Sequence, residues 1–397
     1  MKQLLLRKRN MLLLLIPVAI GITEWAKKNA YAAETFFATG IYKWLSRGLS
    51  FLTGWIPFSL MELIIVVGPV VLVALIIRQI VRAVKIKKPV YRVAENVRGT
   101  IEIQSVGIQR FLLLMTMLQN ILCLVSVIFF GYVILCGVNY HRYPVSYHFG
   151  LSVENSSVEE LEGLFVELAD TAAELRAELT TEDENGVYVL PYSEKTLGKE
   201  AKKAYELLAK EYPLFGGNYP APKPVFFSRL MSYTEITGVF TPWTMEANVN
   251  IDISPYSIGS TMCHELAHLR GFMREDEANY ISYRACMASG DPNLKYSGVM
   301  LALIYTGNAL YGQNPERYYV LGGEHYSAAV VKDMLANNEY WELFDKPVVG
   351  DTTVGDIAEK VNDTYLKMNE QTDGTKSYGR VVDLLLAEYR QKKNTGK

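Results

Sequence analysis

The run Gly259-Ser260-Thr261-Met262-Cys263-His264-Glu265-Leu266-Ala267-His268-Leu269-Arg270-Gly271 decides how the rest of this chain is read. Small and apolar residues at helical spacing predict a helix over 260–269. Two histidines four apart then lie on one face, about one turn along, where both imidazoles can reach one tetrahedral ion. Glu265 stands beside them, placed to take a proton from a water rather than to ligate. Gly271 can end that helix and let the chain turn back. The next helix opens on Glu275-Asp276-Glu277-Ala278-Asn279, which offers carboxylates for a third ligand and leaves a fourth position for water. An acidic first turn also suits a helix dipole with no metal at all. Directly after a two-histidine helix and a tight turn, at least one ligand among these acids is the better reading.

Upstream of the histidines, 225–227 and 238–253 carry β signals, with apolar and polar residues alternating through Val239-Phe240-Thr241 and Ala247-Asn248-Val249-Asn250-Ile251. Pro242 argues for an edge strand or a bulge there. Ser157-Val158-Glu159-Glu160 reads as a capping box opening an amphipathic helix, and 195–211 as a second helix. Downstream, helical patterns fall at 275–289, 297–311, 328–337, 354–371 and 378–391. The region is therefore α+β with helix in excess.

The first third of the chain differs in kind. Of 40 Lys and Arg and 42 Asp and Glu, residues 1–139 hold 16 basic and 5 acidic, so a net charge of −2 conceals a basic, apolar front and an acidic remainder. Three apolar segments, at about 11–26, 57–80 and 111–137, predict membrane crossings, because a helix rising 1.5 Å per residue needs about 20 such residues. The first, behind Lys2, Arg7, Lys8 and Arg9, also fits a signal-peptide core with Ala30-Tyr31-Ala32 as a cleavage site; with Trp25 as an interface anchor it reads better as a retained helix. Glu62 belongs near an interface, and Gln119 and Asn120 fit amides that bridge helices. Positive charge concentrates before the first segment and in the loop 82–110, which places both in the cytoplasm and residues 140–397 outside. Basic residues flanking apolar runs fit lipid headgroups, and no nucleic-acid motif is present.

Four cysteines are too few for a disulfide framework. Cys123 and Cys136 lie in an apolar run, while Cys263 and Cys286, on neighbouring helical patterns, are compatible with one bridge. His141 and His148, near the membrane boundary, read as structural. His325 with Tyr326, and Tyr378, are weaker candidates for a place beside a metal.

The segments Thr241-Pro242-Trp243-Thr244-Met245-Glu246-Ala247-Asn248-Val249-Asn250, Cys263 to His268, Arg270-Gly271-Phe272 and Glu275 to Asn279 resemble an uncharacterised bacterial membrane family, domain of unknown function 3810. The tail Val361-Asn362-Asp363-Thr364-Tyr365-Leu366-Lys367 with Ser377-Tyr378-Gly379 shares the likeness, which runs through the membrane segments too. More distantly, Glu277-Ala278-Asn279 is similar to the element carrying the glutamate ligand in phage-repressor-cleaving metallopeptidases, at a shorter spacing here. That similarity, together with the reach back to His264 and His268 that an extra turn of chain gives, assigns Glu277 as third ligand beside them, with Glu275 and Asp276 capping the helix or orienting the histidines.

The expected protein has a membrane region at 1–139 and an extracytoplasmic zincin-like domain at 140–397, in which an edge strand ahead of the metal helix can accept an extended peptide. Its expected activity is zinc-dependent peptide hydrolysis with Glu265 as general base, on substrates in the cell envelope or medium. The chief rival is a silent zinc-binding membrane sensor or scaffold, and a further one is a zinc hydrolase of non-peptide envelope material. Glu265 weighs against the first rival, since a structural ion has no use for a base. The charge pattern predicts that reporter fusions after Asn139 and at Lys87 report opposite sides of the membrane; the same side for both would overturn three crossings.

Overall fold

A computed structural model describes residues 8–93, 101–347, 352–369 and 380–395. The chain forms two compact units, each drawn from two stretches of sequence: Met1–Lys28 with Glu62–Ile134, and Asn29–Met61 with Leu135–Lys397.

The first unit contains the apolar helices. Helical segments at Lys8–Lys28, Leu60–Lys85 and Val106–Leu135 have mean hydropathies of 1.3, 2.9 and 2.3, long and apolar enough to cross a membrane. Their apolar residues point outward all round, which only a non-aqueous surrounding makes favourable. Pro69 lies within the second, as such helices tolerate. Gln119 accepts a hydrogen bond from Arg9 at 3.0 Å, the helix-bridging role expected of a polar residue there. Between the two long helices, β1 (Val90–Val93) and β2 (Ile101–Gln104) pair antiparallel, a hairpin that the basic composition of this loop did not reveal.

The second unit has a helical core. The motif helix Pro255–Leu269, the acidic helix Glu275–Ala288 and the long helix Pro292–Gln313 pack on one another, with Val158–Glu178 and Glu194–Glu211 against them. Phe165, Tyr205, Met262, Leu266, Phe272, Tyr280 and Tyr296 fill the interior. Full burial of each such side chain stabilises by roughly 1.5–3 kcal/mol. The capping box at Ser157 forms as expected: Glu160 N donates to the Ser157 hydroxyl, and Ser157 N to the Glu160 carboxylate. The helix Pro315–His325 was not anticipated, although its signal was present. Asn314 caps it through Arg317 N at 3.1 Å, and Pro315 occupies its first position, where a missing N–H costs nothing.

A three-stranded sheet, ordered β3-β5-β4, lies ahead of the motif helix. β3 (Lys223–Pro224) runs parallel to β5 (Glu246–Val249), and β4 (Gly238–Thr241) pairs antiparallel with β5 on its other side. β4 is therefore the edge strand expected near Pro242, which falls in the β4–β5 turn. Met245 closes that turn at a φ of +50°, and its side chain is fully buried.

The sequence reading broke the chain at 139/140, yet residues 29–61 belong to the second unit. Tyr42, fully buried, donates its hydroxyl to the carbonyl of His268 at 3.1 Å. Arg47 donates to Gly216 O at 3.0 Å. Lys223 reaches from β3 to the carbonyls of Thr53 and Phe58 at 2.9 and 3.0 Å, and to the Glu246 carboxylate. Glu34 receives both sides of the Arg142 guanidinium, at 2.7 and 2.9 Å, in a buried pair.

Burial disfavours charge on Glu34, but His148 and Arg142 beside it hold its pKa down at about 2. Arg142→Met should strand that charge and destabilise the unit by about 3–5 kcal/mol, with Glu34→Gln in the same chain recovering most of the loss. Because the pKa falls on folding from 4.5, the wild-type contribution is complete above about pH 4.5 and lost as pH falls through about 2. Chemical denaturation of both variants across that window measures it; equal stabilities at neutral pH would show the pair to be inert.

Candidate metal centre

The motif helix presents His264 and His268 on one face, ring centroids 4.6 Å apart. Nδ1 of His268 lies 2.7 Å from the carbonyl oxygen of Phe272. A carbonyl only accepts, so Nδ1 carries the hydrogen and Nε2 of the neutral ring carries the lone pair. His264 repeats the arrangement, its Nδ1 2.7 Å from the side-chain oxygen of Asn279, whose amide nitrogen donates to Tyr305 at 3.3 Å. Both Nε2 atoms thus turn toward the same space, oriented by partners on their far sides.

The carboxylate that shares this space is that of Glu275. Its Oε2 lies 3.0 Å from His264 Nε2 and 3.6 Å from His268 Nε2. Ligand atoms of His264, His268 and Glu275 all fall within 4.8 Å of one another, the only such trio of histidine, cysteine or acidic side chains among the described residues. Glu277, the residue assigned from sequence, is turned away. Its Oε1 accepts from Val145 N at 2.9 Å and from Arg274 at 2.7 Å, tying the acidic helix to the segment after the third apolar helix. The reason is geometric. Only Phe272, Met273 and Arg274 separate Gly271 from the acidic helix, so its first residue is the one that reaches back. At about 100° per residue, the second residue beyond it faces the other flank. Asn279, four after Glu275, returns to the same face as Glu275 and meets His264. Gly271 makes the short turn with a φ of +87°, a conformation that suits glycine.

Two lone pairs and a carboxylate at these distances repel unless a cation, a proton or a metal ion, lies among them. Without a metal, protons take that part. Burial opposes charge on His268, but Glu275 holds its pKa up at about 9. Burial likewise works against the Glu275 charge, and the two imidazoles overcome it, holding that carboxyl well below the usual range. Two imidazole nitrogens and one carboxylate, each oriented by a second residue or by its neighbours, fit Zn²⁺ with a position left open.

Glu265 is buried beside this group, with one carboxylate oxygen lacking a hydrogen-bond partner among the described residues. Burial raises its pKa to about 6, against the pull of His264 and His268. β4 lies over it: Asn250 N donates to Thr237 O across the ladder at 2.8 Å. By the period of two, the N–H groups of Gly238 and Phe240 point to the other side, where Phe240 donates to Glu265. At Gly238 a β-carbon would come within 2.8 Å of Thr261 Cγ2 and collide with the Glu265 carboxylate, so only glycine lets the strand lie this close.

Tyr305, on the long helix, was missed by sequence. Its hydroxyl meets Asn279, and burial with the nearby Glu275 charge raises its pKa to about 12. Nothing in its local spacing marks it; only the packing of one helix on another brings it here. His325 instead pairs with Asp170 at 2.8 Å, and Tyr326 packs against Phe165. His148 lies 3.5 Å from Glu34, and Tyr378 falls outside the described residues. Cys263 and Cys286 are buried free thiols, the second raised by burial and by the first beside it.

The features described define a helix-rich protein with three helices long and apolar enough to cross a membrane and a second unit carrying a His, His, Glu cluster, of which His268 is buried and His264 and Glu275 are partly exposed. Residues 37–386 match a family described as protein of unknown function (DUF3810), and the chain belongs to that family. No curated protein and no solved structure matches it.

Proposed function

We propose that this protein is a multi-pass membrane metallopeptidase whose second unit lies on the extracytoplasmic side and whose zinc ligands are His264, His268 and Glu275. The observation that carries the reading is the convergence of two lone-pair nitrogens and a carboxylate beside Glu265, a buried acid with one uncommitted oxygen. A bound Zn²⁺ supplies Lewis-acid polarisation of the scissile carbonyl and acidifies a water toward a pKa of about 7. Glu265 accepts a proton at its uncommitted oxygen from the attacking water and delivers it to the leaving amine nitrogen. Phe240 N–H holds the other side of that carboxylate. The outer edge of β4 retains the Gly238 N–H and the Phe240 carbonyl as backbone partners for an extended peptide beside Glu265, an arrangement suited to presenting a carbonyl. Asn279 and Phe272 keep both imidazoles in the tautomer that leaves Nε2 free. The positive charges before the first apolar helix and in the loop 82–110 support the outward placement of the second unit.

The ligand assignment separates Glu275 from Glu277. Glu275→Ala should weaken zinc binding by at least about 100-fold, beyond the 10–100-fold of an outer-shell change. Glu277→Ala should retain zinc while lowering stability, since it removes the acceptor that Val145 N and Arg274 share. Competition against a chelator of known affinity, on the full chain in detergent, gives both values; normal binding by Glu275→Ala would refute the trio.

Glu265→Gln should keep zinc and lose at least about 100-fold in turnover, because the amide has the shape of the acid without its basicity. A peptide library presented to wild type and variant reads the loss. Undiminished hydrolysis in the variant would refute the mechanism, and zinc binding without hydrolysis in the wild type would favour the sensor or scaffold.

A further inference from the structure

The chain passes between its two units at three places, Lys28 to Asn29, Met61 to Glu62 and Ile134 to Leu135. Each lies at one end of a helix long and apolar enough to span a bilayer. Within the second unit, each of these junctions is bonded to the frame of the metal cluster.

After the first junction, Glu34 grips Arg142, and Arg142 donates to Gly271 O at 3.2 Å, three residues beyond His268. At the second, the backbone N–H groups of Leu60 and Met61, first in their helix, donate to the Glu246 carboxylate at 3.1 and 3.3 Å. Glu246 is the β5 residue paired with Thr241 of the edge strand. Just after the third, Cys136 donates to the sulfur of Met273 at 3.6 Å, and Arg274 donates to Arg142 O at 2.6 Å. Met273 follows the residue whose carbonyl orients His268. Three separate junctions with helices long enough to span a bilayer thus bond to the loop 270–274 and the end of the edge strand.

The helix Lys43–Gly54, between the first two junctions, gives an independent sign. Trp44, Phe51, Leu52 and Trp55 recur at helical spacing on one face and are exposed, the two tryptophans by 80% and 77%. Ser46 and Ser50 are buried on the other side. Bulky aromatic residues left open a few positions before an apolar helix begins are what a headgroup region accepts and water does not.

We infer that the cluster and its edge strand lie at the bilayer surface, and that the substrate is an extended segment next to the membrane anchor of another polypeptide in the same bilayer. The second half rests on the peptidase reading; the first does not. Tethering enzyme and substrate to one surface raises their effective concentration. Placement at the surface adds a restriction on which bonds are reached.

The test uses the full chain in phospholipid vesicles. All four native cysteines are buried, so a nitroxide at Trp243→Cys, in the β4–β5 turn, can be attached selectively. Its collision rates with lipid-soluble oxygen and a water-soluble nickel chelate should place it within about 10 Å of the headgroups, the depth range of an interfacial element. A label in bulk water would overturn the placement whatever the activity. Zinc-loaded wild type is then given one peptide sequence in two lipid-anchored forms, with the scissile bond six or thirty residues from the anchor. Six extended residues reach only about 20 Å from the bilayer. The short form should be cut at least as fast as the long one. Cleavage of the long form alone, by 10-fold or more, would overturn the substrate assignment. Hydrolysis of neither form, with the label at the surface, would defeat the peptidase reading and the substrate with it while leaving the placement standing.

Discussion

Everything in the second unit turns on the mutual attraction of Glu275 and the two imidazoles. A largely enclosed carboxylate facing two nitrogen lone pairs is a costly arrangement that holds only with a positive charge among them. The surroundings prepare for that charge. Phe272 O and Asn279 point both rings one way, the short turn through Gly271 delivers Glu275 at the first position of its helix, and Gly238 lets the edge strand lie against Glu265. Each of these depends on the others, since moving the acidic helix by one residue would replace Glu275 with Asp276 and pull Asn279 from His264.

Much of this was legible in the sequence. The histidine pair, the adjacent acid, the turn at Gly271 and the edge strand near Pro242 all follow from local spacing, because a helical period or an alternation of two is set by nearest neighbours. The choice among the three acids was not local. Glu277 was favoured by a likeness in Glu277-Ala278-Asn279 and by the reach expected from an extra turn of chain, whereas the turn is so short that the residue nearest the break is the one that reaches back. The pairing of Glu275 with Asn279, four apart and facing two histidines four apart, is the pattern that could have found it. Tyr305 could not have been found this way, because it reaches the cluster through helix packing alone.

The apolar segments illustrate the same division. Their length and apolarity are properties of composition and are read off directly. The part played by residues 29–61 is not, because the stretch carries no motif and only three charged residues, Glu34, Lys43 and Arg47. Its value lies in contacts with residues about 100 to 225 positions away, such as Glu34 with Arg142 and Tyr42 with His268. Long-range partners of this kind leave no periodic trace.

That stitching also sets an order of events during synthesis. Residues 29–61 leave the ribosome early but find their partners only after the third apolar helix and most of the remaining chain have followed. Until then Glu34 and Tyr42 lack the partners they hold in the finished unit. The centre cannot be finished by a chain that is still short of its third apolar helix, and a protein stalled before that point carries no assembled site. Maturation is in this sense timed by topology: the last helices to emerge complete a site whose first contacts belong to residues made early.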